Sequence, residues 1–209
     1  MTVLNQLASA LNRRDEVPNQ ELAVEIVRTK NKSAVRELVD NLSSKKKDIQ
    51  SDCIKVLYEI GEREPGLIAG YYKDFARLLE SSNNRLVWGA MTALDTIAVE
   101  APKAVFSQLS KVLAAGDAGS VITRDHAFGI LVKLGALDQY AKQCLPLLRE
   151  QLLSCPNNQF PMYAEMSLGV ATARNKQALI DIFKIRMPKL EKESQKKRIA
   201  KVLKSLEGK

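Results

Sequence analysis

A spacing of 37 residues recurs through most of this 209-residue sequence and constrains its fold more than any other feature. The segment 85–98 has the apolar spacing of an amphipathic helix, and similar segments lie 37 residues before and after it. Equivalent apolar positions fall into three registers: Cys53, Ala90, Ala127 and Ala164; Leu57, Leu94, Leu131 and Leu168; and Ile60, Ile97, Leu134 and Ala171. Four copies at one period predict a chain of stacked helical repeats.

The predicted fold class is all-α, a right-handed α-solenoid of antiparallel helix pairs forming one continuous domain. We expect an N-terminal helical cap over 1–44, four repeats of about 37 residues over 45–193, and a basic capping helix over 194–209. In the cap, helices are predicted over 2–12, over 20–29, and from an N-cap at Ser33 to Leu42. In the repeats they are predicted near 48–60, 65–81, 85–98, 102–115, 121–134, 138–154, 160–173 and 176–190.

Composition places the chain among folded proteins of ordinary polarity, with 45% hydrophobic and 27% charged residues. No apolar run approaches the roughly 20 residues that span a bilayer, and the N-terminus lacks the basic start of a secretory signal. We therefore expect a cytoplasmic protein without a membrane partner. Cys53, Cys144 and Cys155 lack the paired spacing of a disulfide framework or a zinc site, so we expect reduced thiols.

The net charge of +8 is concentrated at the C-terminal end of the sequence. Residues 184–209 carry ten Lys or Arg against three Glu, a net charge of +7, which leaves +1 for residues 1–183. The repeats are thus predicted to be nearly neutral, and the basicity belongs to the C-terminal tail.

The segment L-L-E-S-S-N-N-R-L-V-W-G-A-M-T-A-L-D-T-I-A, residues 78–98, resembles a HEAT repeat. The pattern of that family, a polar turn followed by Val-Arg, Ala and Ala-Leu, is best matched by Thr123-Arg124, Ala127 and Ile130-Leu131. The other copies replace the arginine with Gln50, Val87 and Pro161. This resemblance covers about 46–190 and implies an architecture of paired helices, but it says little about function.

The resemblance also implies that the second helix of each repeat lines the concave side. At about 100° per residue, the positions opposite the core are Asp48, Ser51, Lys55 and Tyr58; Arg85, Trp88, Thr92 and Asp95; Ile122, Asp125, Gly129 and Val132; and Gln159, Met162, Met166 and Gly169. This face changes from charged to apolar along the chain, and an exposed apolar strip usually contacts a partner. The predicted partner-binding residues are Arg85, Trp88, Asp125, Met162, Tyr163 and Met166. The alternative is that the last helices of the chain cover this strip.

The leading prediction is a noncatalytic scaffold that binds a protein or peptide on the concave face. No catalytic residue, cofactor or metal site is predicted, because the sequence has no phosphate-binding loop and a single histidine. His126 lies beside the core position Ala127 and is predicted to be a packed, hydrogen-bonded residue. Asp95 and Asp125 are predicted to be solvated carboxylates.

A nucleic-acid-binding module is the alternative prediction, using Arg85 and Arg124 with the tail residues Lys196, Lys197, Arg198 and Lys201. The tail also fits a capping helix with a soluble outer face, and it has no aromatic residue for base stacking. The third alternative, which the resemblance implies, is an alkylpurine DNA glycosylase of HEAT-like build. Such enzymes read damaged DNA with a basic concave groove, several aromatic residues and an aspartate. This chain offers Trp88 and Asp95 but lacks the stripe of cations along the groove.

Overall fold

The computed structural model describes residues 2–208, and the regular structure within that range is entirely helical. Its α-helices are α1 (Val17–Thr29), α2 (Lys32–Asp40), α3 (Lys47–Arg63), α4 (Tyr72–Leu78), α5 (Asn84–Thr96), α6 (Pro102–Phe106), α7 (Leu109–Ala118), α8 (Val121–Gly135), α9 (Asp138–Ser154), α10 (Phe160–Met166), α11 (Lys176–Arg186) and α12 (Glu193–Glu207). The chain divides into two compact units between Ala127 and Phe128, a boundary that falls inside α8.

The predicted helices with uninterrupted apolar spacing are confirmed to within three residues at each end, among them α3, α5, α8, α9 and α12. Three predicted helices are broken instead. The segment 65–81 forms two 3₁₀ turns, Pro65–Leu67 and Ala69–Tyr71, before α4, because Pro65, Gly66 and Gly70 favour turns.

The other two breaks occur where a serine hydroxyl bonds back to the helix. In 102–115, α6 ends at Phe106, and the Ser107 hydroxyl donates to the Ala104 carbonyl at 2.6 Å. In 160–173, α10 ends at Met166 and continues as a 3₁₀ turn, where the Ser167 hydroxyl donates to the Tyr163 carbonyl at 2.7 Å. Such bonds compete with regular α-helical geometry.

The predicted helix over 2–12 is wrong, because tertiary hydrogen bonds hold this segment in another conformation. Only Val3–Gln6 is helical, as a 3₁₀ turn. The Ala8 amide donates to Asn19 Oδ1 at 3.0 Å, and the Ser9 amide donates to Asp52 Oδ2 at 2.8 Å. A smaller correction concerns α2, whose N-cap is Asn31 rather than Ser33.

The first unit is organised around α3, which packs against α1 on one side and α5 on the other. Helix α2 packs on α3, and α4 packs on α5. The register positions supplied by α3 and α5 are all fully buried: Cys53, Leu57, Ile60, Ala90 and Leu94, with Ile97 at the end of α5. The periodic core predicted from the sequence is therefore confirmed in this unit.

Glycine allows the close approach of α3 and α5. A methyl group added at Gly89 would lie 2.7 Å from Ile54 Cγ1, well inside van der Waals contact. At the other end of the pair, a methyl group at Gly61 would clash with the Thr96 side chain. The spacing of these two helices therefore depends on residues without a Cβ atom.

In the second unit, α10 packs against α12 and α9 packs against α11. The rings of Phe128 and Tyr163 stack at 4.0 Å in its core. Arg186 is buried at the end of α11 and donates to the carbonyls of Leu152, Leu153 and Cys155. This guanidinium satisfies carbonyl groups at the end of α9 and joins the two helices.

The repeat register weakens in the fourth copy. Leu131, Leu134 and Ala164 are buried, but Leu168 and Ala171 are only half-buried. They follow the end of α10, so the helical spacing no longer directs them into the core.

The three cysteines are buried thiols, in line with the prediction of reduced cysteines. Cys53 and Cys144 have no exposed surface, and Cys155 is 5% exposed. Burial raises the pKa of Cys53 to about 12 and that of Cys144 to about 11, so both are protonated at neutral pH.

Candidate functional site

The most distinctive surface of the first unit lies where α3 and α5 meet. We call it the α3–α5 face and define it by Glu16, Lys55, Tyr58, Glu59, Arg63, Arg85 and Trp88. The rings of Tyr58 and Trp88 lie 5.8 Å apart and are tilted by 50°. Tyr58 is buried, whereas Trp88 is half-buried and keeps part of its indole open to solvent.

Ion pairs continue along the face on both sides of the aromatic pair. Lys55 Nζ lies 2.7 Å from Glu59 Oε1 and 3.0 Å from Glu16 Oε2. Arg85 Nη2 donates to the second oxygen of Glu16 at 2.6 Å, and Arg63 Nη1 donates to Glu59 Oε2 at 2.6 Å. Two carboxylates are thus held by three cations, and Lys55 also lies 4.7 Å from the centre of the Tyr58 ring.

This network keeps Lys55 and Glu59 charged. Burial alone raises the pKa of Glu59, but hydrogen bonds from Lys55 and Arg63 outweigh it and lower that pKa below its usual value. Burial alone lowers the pKa of Lys55, but its bonds to Glu59, Tyr58 and Glu16 outweigh it and raise that pKa. Burial raises the pKa of the Tyr58 hydroxyl.

A polar cleft of about 560 Å³ lies next to this face, between the N-terminal segment and the first turns of α3. Its charged lining residues are Arg13, Arg14, Asp15, Glu16, Asp48, Asp52 and Arg85. The Asp52 carboxylate is already occupied by the Ser9 amide and the Asn19 side chain, at 2.8 Å each. This carboxylate therefore fixes the N-terminal segment against α3.

The start of α8 contributes Asp125 and His126, both half-buried. His126 Nδ1 lies 2.8 Å from Asp95 Oδ2, which confirms the prediction that this histidine is packed and hydrogen-bonded. Asp95 is consequently tied to a neighbouring helix rather than simply solvated.

Comparisons with known proteins identify the fold. No protein-family model matches the chain, and no curated protein matches it either. Among solved structures, a designed armadillo repeat protein in complex with the peptide (KR)4 is similar, with a TM-score of 0.68, 15% identity, and coverage of 97% of this chain and 99% of that one. A computationally designed armadillo repeat protein for modular peptide recognition has a TM-score of 0.66, 14% identity, and coverage of 97% of both chains.

A third similar structure is an engineered protein, with a TM-score of 0.65, 20% identity, and coverage of all of both chains. The chain has an armadillo/HEAT-like helical-repeat fold. This finding confirms the fold class predicted from the 37-residue register. At these identities the similarity concerns the fold alone.

Three of the predicted partner-binding residues lie in the first unit of this helical-repeat protein. Arg85 is exposed, and Trp88 and Asp125 are half-buried. Arg85 and Trp88 belong to the α3–α5 face. The ion pairs of this face were not predicted from the sequence. Two of these pairs could have been predicted from spacing alone, because oppositely charged residues four apart on a helix lie side by side, as Lys55, Glu59 and Arg63 do. No local signal connects Glu16 with Arg85, which are 69 residues apart.

In the second unit, the prediction for Tyr163 is wrong, because its side chain has no exposed surface. Its ring stacks on Phe128, and its hydroxyl accepts a hydrogen bond from Gln159 at 3.0 Å. Met162 and Met166 are half-buried and pack against the core of this unit. Helix α12 also packs on α10. The structure therefore agrees better with the alternative prediction, in which the last helices cover the apolar strip, than with an exposed strip.

The residues predicted for nucleic-acid binding differ in their surroundings. Arg124 is half-buried and donates to the Asp117 carbonyl at 3.4 Å. Lys196 pairs with Glu193 at 2.8 Å, and Arg198 pairs with Glu165 through two bonds of 2.7 and 2.6 Å. Lys197 and Lys201 are exposed.

Within residues 2–208, no group of three or more His, Cys, Asp or Glu side chains is placed to hold a metal ion. No helix in that range combines the length and apolar character needed to cross a membrane.

Proposed function

We propose that this protein is a noncatalytic scaffold that binds a peptide or an extended protein segment across the α3–α5 face. The observation that carries this proposal is Trp88, a partly open indole supported by Tyr58 on a layer of stacked repeat helices. Tryptophan and arginine are the residue types that most often dominate binding energy at interfaces. Arg85 lies one helical turn from Trp88.

Two of the structurally similar proteins are peptide binders by design, and one of them is in complex with (KR)4. The α3–α5 face is suited to a different ligand. Its carboxylates Glu16 and Glu59 are already paired with Lys55, Arg63 and Arg85. A basic peptide would have to displace these cations, so we propose an apolar or aromatic anchor residue that packs on Trp88.

The test uses random linear peptides displayed on phage and selected against the whole protein. Because Trp88 is the single tryptophan of the sequence, its fluorescence reports directly on the proposed site. Selected peptides are expected to change that fluorescence. Their affinity should fall roughly 30-fold in Trp88→Ala, the effect of losing about 2 kcal/mol at an interface hot spot.

The matched control is Val99→Ala, which truncates an apolar side chain that is 60% exposed elsewhere on the first unit. This variant should bind the selected peptides as the unmodified protein does. A synthetic (KR)4 peptide should bind more weakly than they do. The proposal fails if selected peptides bind Trp88→Ala and the unmodified protein equally well.

A further inference from the structure

The two compact units differ sharply in charge. Residues 1–127 contain seventeen Lys or Arg and seventeen Asp or Glu, whereas residues 128–209 contain fifteen and seven. The entire net charge of +8 therefore belongs to the second unit. An excess of this size on about eighty residues creates a strong positive potential, which attracts polyanions.

Helix α12 concentrates part of this charge on one ridge. Its apolar side chains Ile199, Val202 and Leu206 are buried in the second unit. The opposite side of the helix presents Lys197, Lys201 and Lys204, all exposed and spaced by four and three residues. We call these three residues the lysine ridge.

The lysine ridge is free to bind a ligand, unlike its neighbours. Lys196 and Arg198 are engaged by Glu193 and Glu165. Among the described residues, none of the three ridge lysines has an ion-pair partner within 4.0 Å, and the Glu165 carboxylate that Lys201 influences is already paired with Arg198. Their ammonium groups therefore need not give up an ion-pair partner to contact an anion.

We infer that the lysine ridge binds the phosphate backbone of nucleic acid, without regard to base sequence. The seven residue steps from Lys197 to Lys204 rise about 10 Å along the helix, which corresponds to about three phosphate steps along one strand of a duplex. Phosphate contacts are electrostatic and need no apolar anchor. The small, exposed residues Ala200 and Ser205 lie beside the ridge lysines, and the segment 197–205 contains no aromatic residue that could stack on a base.

The same features disfavour other polyanionic partners. A protein partner would need a buried apolar or aromatic anchor, and the ridge has none. A membrane-surface helix would need its apolar face available for lipid, whereas that face of α12 is buried.

The test measures binding of the whole protein to a labelled random-sequence DNA duplex across a range of salt concentrations. Replacing all three ridge lysines, K197Q/K201Q/K204Q, should reduce the slope of log affinity against log salt by about 2.7. Between 50 and 200 mM salt the unmodified protein should lose roughly 40-fold more affinity than this variant. The substitutions are exposed and keep good helix formers, so the melting temperature should stay unchanged.

The matched control is K45Q/K46Q/K47Q, which removes the same charge from three exposed lysines of the first unit. This control should retain the original salt dependence, and so should Trp88→Ala, because neither variant alters a ridge lysine. Any of three results would overturn the inference: no DNA binding at low salt, an equal loss in the control variant, or tighter binding to polyglutamate or phosphatidylserine vesicles than to the duplex.

Discussion

At the scale of single residues, the charged groups of the α3–α5 face show how burial and pairing compete. Lys55 and Glu59 have side chains that are each only 8% exposed, a position that disfavours charge. Both remain charged because each has two partners of opposite sign. The pairs consequently contribute to stability in a pH-dependent way.

Glu59→Gln should destabilise the protein by about 2 kcal/mol at neutral pH, the scale of a lost hydrogen bond to a charged group. The pKa of Glu59 is lower in the folded protein than its usual value of 4.5, so its stabilising effect is present above that value. The effect disappears as the pH falls through the lowered pKa, because Glu59 of the unmodified protein is then protonated and, like the glutamine of the variant, uncharged. Urea denaturation of both proteins at a series of pH values checks this convergence.

The exposed residue Glu62, three positions along the same helix, provides the comparison. Glu62→Gln removes an equal charge and should leave the stability nearly unchanged across the same pH range. A constant difference between Glu59→Gln and the unmodified protein down to strongly acidic pH would contradict the assigned role of the carboxylate.

At the scale of elements, the spacing of α3 and α5 depends on Gly89. Gly89→Ala improves helix propensity by about 1 kcal/mol, but it inserts a methyl group 2.7 Å from Ile54 in a packed core. Overpacking of this kind costs about 1–3 kcal/mol. We therefore expect a net destabilisation of about 1 kcal/mol, visible as a lower midpoint of thermal or urea unfolding.

Gly70→Ala is the control for this substitution, because a methyl group there meets nothing within 4 Å. It should be neutral or slightly stabilising through the unfolded chain. If Gly89→Ala proved as stable as Gly70→Ala, the two helices would have room that the structure does not show.

The sequence predicted those elements whose apolar spacing is uninterrupted, because burial of one helical face dominates their packing. Cys53, Ala90 and Leu94 were placed correctly for this reason. Breaks caused by local hydrogen bonds, as at Ser107, leave little trace in an apolar pattern. In the candidate site, the partial exposure of Trp88 could be predicted from helical phase. Tyr163 lies one residue from the core position Ala164, and its side chain is buried.

At the scale of the whole molecule, the protein combines a neutral unit that carries the α3–α5 face with a basic unit that carries the lysine ridge. The charge asymmetry is visible in the sequence, but its assignment to one compact unit requires the fold. Long-range pairs such as Glu16 with Arg85 likewise exist only in the folded chain. The two proposed binding activities can therefore be removed independently by substitutions in different units.

Because all three cysteines are buried, the folded protein should react little with reagents that label thiols. Cys53, Cys144 and Cys155 should react with a maleimide far more slowly than a free thiol, because a reagent reaches them only when the structure opens. Mass spectrometry at increasing urea should show labelling that rises with unfolding, and rapid labelling in buffer would contradict the buried positions. In Ser33→Cys, the exposed new thiol should be the single site that a fluorophore labels in the folded protein. Distances from Trp88 could then be measured by energy transfer without replacing any native cysteine.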